Sequence, residues 1–407
     1  TARALQHTVS SFPVFSIGLS AGENASDLHD LLKEIENAPV RMSVMVDVSL
    51  EGMKPHDSDS VKGRAKELWR YADSGLVNIV GGGKETTPES LKFMVKALKG
   101  SRPRRIPARR YNMLLSGLAP MTVAGAGNCI CVGNVFNREE SPEFAKIFGE
   151  GNLADAVALG HRQVTYGAEI LDVNLDSYDT EPPQIQAFMG KMLDDKSLAK
   201  CPVMMDSRSW DLLIAGIECI SGKGIARSIS LAEGEEIFLT KAMEIRKRGF
   251  ALVCFAEDEK GAADTFARET EIIERMYRLL VGKLNFLAED IVFEPCVEHE
   301  GKPLDDAMNL LFKVCRYVKA NLPYAHILGD VQKLGLHANG LEKARPGLTS
   351  VFLHHAKKAG LDFYIAKPEK IPAYEEIPYR MCCLLEDVVL SRVPDAKKKL
   401  AAALKAM

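Results

Sequence analysis

"CPVMMDSRSWDLLIAGIECISGKGIARSIS", residues 201–230, is two short apolar runs separated by a stretch of helical period. "PVMMD" (202–206) and "IARSIS" (225–230) have the length of strands, and "SWDLLIAGIECI" between them repeats its apolar residues at three and four. Strand, amphipathic helix, strand is the unit that makes a parallel sheet. Working outward from it, similar runs occur at "NCICVG" (128–133), "EILDVN" (169–174), "FALVCF" (250–255), "DIVFE" (290–294), "HILGD" (326–330) and "LDFYIA" (361–366). The total is eight strands alternating with helices, which is the arithmetic of a (β/α)8 barrel. A doubly wound open sheet is the alternative, with fewer strands and an early glycine-rich phosphate turn.

The expected fold class is therefore α/β, a complete (β/α)8 barrel over residues 123–407 preceded by further βα material. Residues 1–98 hold three more units: "FPVFSIG" with "ASDLHDLLKEIEN", "RMSVMVDV" with "SVKGRAKELWRYADSG", and "LVNIVGG" with "PESLKFMVKALKG". Three βα units cannot close a barrel, so this module is expected to be the C-terminal part of a larger domain or a segment that packs on the second domain to hide its sheet edge. Residues 99–122, rich in Pro and Arg, read as a linker, and the basic run "SRPRRIPARR" (101–110) as a solvated part of it.

The 407 residues are 46% apolar and 26% charged with a formal net charge of -3, the composition of a soluble globular protein. Nothing in the charge pattern points to nucleic acid, and no apolar run is long enough for a membrane span. The N-terminus lacks the apolar core of a signal peptide, and the nine cysteines follow no regular spacing, so reduced thiols in the cytoplasm are expected. Cys129 and Cys131 share one side of a strand but have no second pair at ligand spacing, so core packing is the expectation. His354 and His355 lie about 100° apart on a helix and are expected to serve packing or surface roles.

Chemistry in such a barrel gathers at the C-terminal ends of the strands. The residues there are Asn134 and Asn137, Asp172, Asn174 and Asp176, Asp206 and Ser207, and Arg227, Ser228 and Ser230. They continue with Glu257 to Glu259, Glu294, Cys296 and His299, Asp330 and Lys333, and Lys367. Asp206, Ser207 and Ser230 are also placed to cap the following helices. Asp172 and Asn174 share a face in an otherwise apolar strand, where a buried carboxylate needs a partner or a task.

"GLVNIVGGGKETTPESL", "LLSGLAP", "GAEILDVNLD", "CPVMMDSRSWDLLIAGIECISGKGIARSISLAEGE", "EDEKGAADT" and "DIVFEP", in this order, resemble cobalamin-dependent methionine synthases. The resemblance covers the tail of their homocysteine-binding barrel (1–98) and their whole methyltetrahydrofolate, pterin-binding barrel (123–407). It implies two barrels that bring homocysteine and methyltetrahydrofolate to a shared cobalamin, here on another module or chain, in methionine synthesis and one-carbon metabolism. In the pterin barrel it implies that N5 of the folate is protonated or hydrogen-bonded so that the methyl can leave, with no metal there.

Carried onto this sequence, the family's Gly-Glu-Arg-x-Asn motif falls on residues 133–137 and keeps only its glycine and Asn137. Its pterin-holding Asp is Asp206, and Asp172, Asn174, Asp176, Lys223, Ser228, Asp258 and Glu259 match. Arg227, Lys333 and Lys367 stand where the family has Asn, Glu294 where it has Asp, and Cys296 where it has Asn. The resemblance thus gives Asn137 and Asp206 as catalytic candidates, with Asn134, Asp172, Asn174, Arg227, Ser228, Glu294, Lys333 and Lys367 as further pterin contacts. Three cations among these positions suggest a cup suited to an anionic ligand. The family's homocysteine half holds zinc on three cysteines; here no cysteine precedes residue 129, and Gly83 and Lys84 stand in for two of them, with Glu85 replacing a glycine.

Three functions fit. One is a methyltetrahydrofolate-binding methyltransferase module serving a corrinoid partner, with its zinc half inactive. Another is a non-catalytic relative that acts as a binding or interaction protein. A third is a barrel enzyme of other chemistry built on Asp172, Asp206 and Glu294.

Overall fold

The architecture is that of a computed structural model describing residues 1–21, 25–46, 68–83, 86–124, 129–177, 179–297, 304–335 and 341–405. It divides into two units, Thr1–Arg110 and Tyr111–Met407.

In the first unit β1 (Ser16–Ala21), β2 (Arg41–Val46) and β3 (Ile79–Gly82) form a parallel sheet in that order. Leu28 and Leu32 of the helix Ala25–Glu34, and Ile35 just after it, pack with Met42 and Val44 of the central strand, the apolar stripe of a helix meeting one face of a sheet. Arg104, expected in a solvated linker, is instead 5% exposed. Its guanidinium donates to the carbonyls of Val40 (2.9 Å), Ala38 (2.7 Å) and Glu36, and its own carbonyl accepts from the Asn78 side chain at 2.7 Å. Most of the run is exposed, and Arg104 alone departs from the expectation, because charge density says nothing about which member finds orphan carbonyls to satisfy.

The second unit opens with an antiparallel hairpin, β4 (Met113–Ser116) and β5 (Pro120–Val123), inside the stretch expected to be a linker. Two four-residue strands joined at Gly117 carry too little alternation to stand out in sequence. Then β6 (Ile130–Asn137), β7 (Ile170–Asn174), β8 (Val203–Asp206), β9 (Ile225–Ile229), β10 (Ala251–Phe255), β13 (Ile291–Glu294), β14 (His326–Asp330) and β15 (Phe363–Ala366) close an eight-stranded, wholly parallel barrel. A short ladder, β11 (Glu257–Asp258) with β12 (Gly261–Ala262), follows β10. The sequence placed all eight barrel strands, because strands buried on both faces are apolar throughout. One end was missed: β6 runs on to Asn137, through a register shift between Gly133 and Phe136, so Asn134 and Asn137 lie in the strand and not after it.

The barrel's inner layer is apolar: Ile130, Val132, Ile170, Met204, Ile225, Val253, Val292, Leu328, Phe363 and Ile365. Met113, Leu115 and Val123 of the hairpin join this cluster and plug the N-terminal end. The plug is tied to the barrel turns by Ser116 N–H to the Lys223 carbonyl (3.0 Å) and Leu118 N–H to the Ala199 carbonyl (2.7 Å). The approach is close enough that a Cβ on Gly222 would sit 2.1 Å from the Ser116 carbonyl oxygen, so only glycine fits. Around the strands a second apolar layer packs the helices, with Phe136, Phe144 and Phe188 in mutual contact. No helix among the described residues is long and apolar enough to cross a membrane.

Candidate functional site

The polar end of the barrel follows from the apolar layer by the two-residue period of a strand. Two positions beyond Val132, Ile170, Met204, Ile225, Val253, Val292, Leu328 and Ile365 lie Asn134, Asp172, Asp206, Arg227, Phe255, Glu294, Asp330 and Lys367. Seven of these eight are polar, so the interior changes from hydrocarbon to charge within one step along every strand but β10.

Arg227 is the hub of this ring. Its Nε and Nη2 donate to the two carboxylate oxygens of Glu294 at 2.8 and 2.7 Å, and its Nη1 donates to Asp206 Oδ2 at 2.9 Å. Asp330 Oδ2 lies 3.6 Å from Nη2. Burial would lower the guanidinium's pKa, but Asp206 and Glu294 hold it charged and push it well above its ordinary value. Burial likewise pushes the Glu294 carboxyl up, but the Arg227 contacts outweigh it and leave Glu294 below its usual range. Asp206 also accepts from Asn174 Nδ2 at 2.9 Å, yet burial leaves its pKa raised. It is therefore an acceptor inside the cup rather than a helix cap.

Asp172 is different. It is 1% exposed, and among the described residues neither carboxylate oxygen has a hydrogen-bond partner. Burial first, and the neighbouring Asp206 second, push its pKa well above its ordinary value, which favours the protonated form. Asn134 Oδ1 on the adjacent strand is likewise buried without a partner, while its Nδ2 donates to Glu140 at 2.7 Å. Burial pushes Asp330 up to about 7. Four carboxyl groups against Arg227 and Lys367 make the ring acidic in formal charge, and Arg227 is already neutralised by its partners. Of the three cations that suggested a cationic cup, Arg227 is thus held by carboxylates of the ring itself.

At the rim, the segment after β6 is tied to its neighbours. Asn137 Oδ1 accepts from the N–H groups of Glu139 and Glu140, both at 3.0 Å, which bends the chain back at the strand end. Arg138 donates to Asp179 and Thr180 at 2.9 Å each, Glu139 pairs with Arg208, and Lys367 Nζ donates to the Glu140 carbonyl at 2.9 Å. Burial lowers the Lys367 pKa and raises that of Glu140. Glu140 was not singled out in the sequence; the acidic pair "EE" just after Asn137 was its only sign.

Lys333 lies 6.0 Å from the centre of the Phe255 ring, opposite the one apolar member of the ring. Asp176 accepts from Ser207 Oγ (2.6 Å) and Arg208 N–H (2.8 Å), which makes Ser207 part of a loop brace. Ser230 accepts from Ala232 N–H at 3.3 Å, the local contact of a turn. The remaining conspicuous groups lie apart from the cup. Burial raises the thiol of Cys131 to about 12, Cys129 is raised for the same reason, His354 stacks on Tyr374 at 3.8 Å, and His355 bonds Glu386 at 2.9 Å. Lys84, Glu85 and His299 lie outside the described residues.

A model of the family described as "pterin binding enzyme" matches residues 133–367, a span that contains every member of the polar ring. Among solved structures, the barrel is similar to dihydropteroate synthase from Xanthomonas albilineans in complex with 7,8-dihydropteroate (16% identity, 71% of this chain and 97% of that one, TM-score 0.45). It is also similar to dihydropteroate synthase from Stenotrophomonas maltophilia with bound imidazole (16% identity, 69% and 94%, TM-score 0.43) and to that of Yersinia pestis (13% identity, 72% and 99%, TM-score 0.42).

Proposed function

Because this chain belongs to the pterin-binding enzyme family, we propose that the polar end of its barrel takes methyltetrahydrofolate and that the module passes the N5 methyl to a corrinoid on another module or chain, as in methionine synthesis. The observation that supports this reading is Asp172, a buried carboxyl at the polar end of the barrel whose pKa is pushed well above its ordinary value by burial and whose oxygens make no hydrogen bond among the described residues. Transfer of a methyl group as a cation equivalent leaves the electrons of the C–N bond on N5. That departure is unfavourable from a tertiary amine unless N5 is protonated or hydrogen-bonded. The corrinoid, when present, supplies the nucleophile.

The chain's own residues supply the rest. Asp172, its pKa raised by burial, is the candidate proton donor to N5, and Asn137, whose carbonyl is spent on the turn, keeps its amide N–H groups for donation. Asp206 and Glu294 are acceptors for the ring's N–H edge. Ser228, Lys333 and Lys367 stand at the periphery, where Lys333 can meet the acidic tail of a folate. Zinc chemistry does not fit the N-terminal unit, since thiolate ligands are required and no cysteine precedes residue 129. No step is therefore assigned to it.

Calorimetric titration with methyltetrahydrofolate tests the reading. Saturable binding tighter than about millimolar, weakened roughly tenfold or more by Asp206→Ala, supports it. Affinity unchanged by that substitution sinks it. The Arg227 contacts favour a second reading, a non-catalytic binding protein whose cup is closed by its own side chain. Folate binding without methyl transfer to a supplied corrinoid protein would select that second reading.

A further inference from the structure

We infer that Arg227 is an internal occupant of the cup, filling with its own guanidinium the acceptors that a ligand's N–H edge would use, and so setting how tightly and which ligands enter. The inference rests on the reading above that a folate-type ligand uses this end of the barrel. A guanidinium and the amidine edge of a 2-amino-4-oxo-pyrimidine ring present the same pattern to a carboxylate, two parallel in-plane N–H donors. Arg227 already makes that contact with Glu294 at 2.8 and 2.7 Å and reaches Asp206 with a third donor at 2.9 Å. It is 6% exposed and grows from β9, in the middle of the arc of strands that carries its partners.

An incoming ring can use Glu294 only after these charge-assisted bonds open, which reduces its apparent affinity by the fraction of time Arg227 stays seated. The Asn134 carbonyl on β6 and the Asp172 carboxyl on β7 are the buried polar groups that Arg227 leaves without a hydrogen bond among the described residues. The cup is thus half occupied from within.

The test compares wild type, Arg227→Ala and Arg227→Lys by calorimetric titration with methylguanidinium and, separately, with methyltetrahydrofolate. Expected are saturable methylguanidinium binding by Arg227→Ala with none by wild type, and methyltetrahydrofolate affinity at least about tenfold higher in both variants than in wild type. Methylguanidinium binding by Arg227→Ala with methyltetrahydrofolate bound by no form upholds the internal occupant and sinks the folate reading. Equal methyltetrahydrofolate affinity in all three forms, with methylguanidinium ignored by Arg227→Ala, overturns the internal occupant and leaves the folate reading standing. Neither ligand binding to folded Arg227→Ala overturns both. If Arg227→Ala does not fold, Arg227→Lys decides, because it keeps a cation but not the planar fork; an affinity no higher than wild type then overturns the inference.

Discussion

At the N-terminal end of the barrel Lys223 and Asp290 face each other at 2.7 Å, each 2% exposed; at the C-terminal end Asp172 is as deeply buried and neither of its oxygens is bonded. The same strands connect the two ends. Near the plug the buried carboxylates are paired: Asp362 accepts from Lys319 at 2.9 Å and from the Ile327 N–H at 2.8 Å, and His326 Nδ1 lies 3.3 Å from it, although neither His326 ring nitrogen makes a hydrogen bond among the described residues. In the cup, carboxyl groups outnumber cations and buried acceptors remain open. A folded chain gains nothing from a buried carboxyl left unpaired, so the difference between paired Asp290 and Asp362 and unpaired Asp172 separates carboxylates that serve stability from one that the account keeps for a ligand.

The comparison can be broken most forcefully at the plugged end. Lys223→Met leaves Asp290 buried without its cation and is expected to destabilise the protein by about 3–5 kcal/mol in urea unfolding. A loss under about 1 kcal/mol would mean that this pair is not part of the barrel's stability. At the cup the sign reverses. Asp172→Leu removes an unsatisfied polar group and is expected to raise unfolding stability by roughly 1 kcal/mol at pH 7. A variant less stable than wild type would show that Asp172 is paired after all.

A smaller effect sharpens the contrast through pH. Asp330, held up to about 7 by burial, binds its proton more tightly folded than unfolded, where an Asp titrates near about 3.9. Its contribution is therefore complete below the unfolded pKa and is lost as pH rises toward about 7. Asp330→Asn does not titrate, so its stability relative to wild type should grow between pH 5 and pH 8, followed by denaturation midpoints at several pH values. A difference constant across that range would contradict the assigned pKa.

How much of this was legible in the sequence depends on what kind of fact is asked for. The eight strands were, because burial on both faces forces apolar runs such as "PVMMD" and "FALVCF". The place of Asp172 was too, since a carboxylate flanked by Leu171 and Val173 in such a run has nowhere else to face than the interior. Pairing was not legible. Arg227 reads as an added positive charge until its side chain is seen to be consumed by Glu294 and Asp206, contacts whose partners lie 67 and 21 residues away. The turn built on Asn137 was hidden by the register shift in β6, and Glu140 by its position outside any strand. The hairpin plug was hidden because its two strands are four residues each and their partners lie on the barrel's inner wall.

Titrating methyltetrahydrofolate into wild type and Asp172→Leu side by side at pH 7 tests the central claim that the cup's unfilled acceptor serves a ligand. The account predicts saturable binding to wild type and affinity lower by about tenfold or more in the more stable variant. Equal affinity for the two forms, or no binding to either, would contradict it.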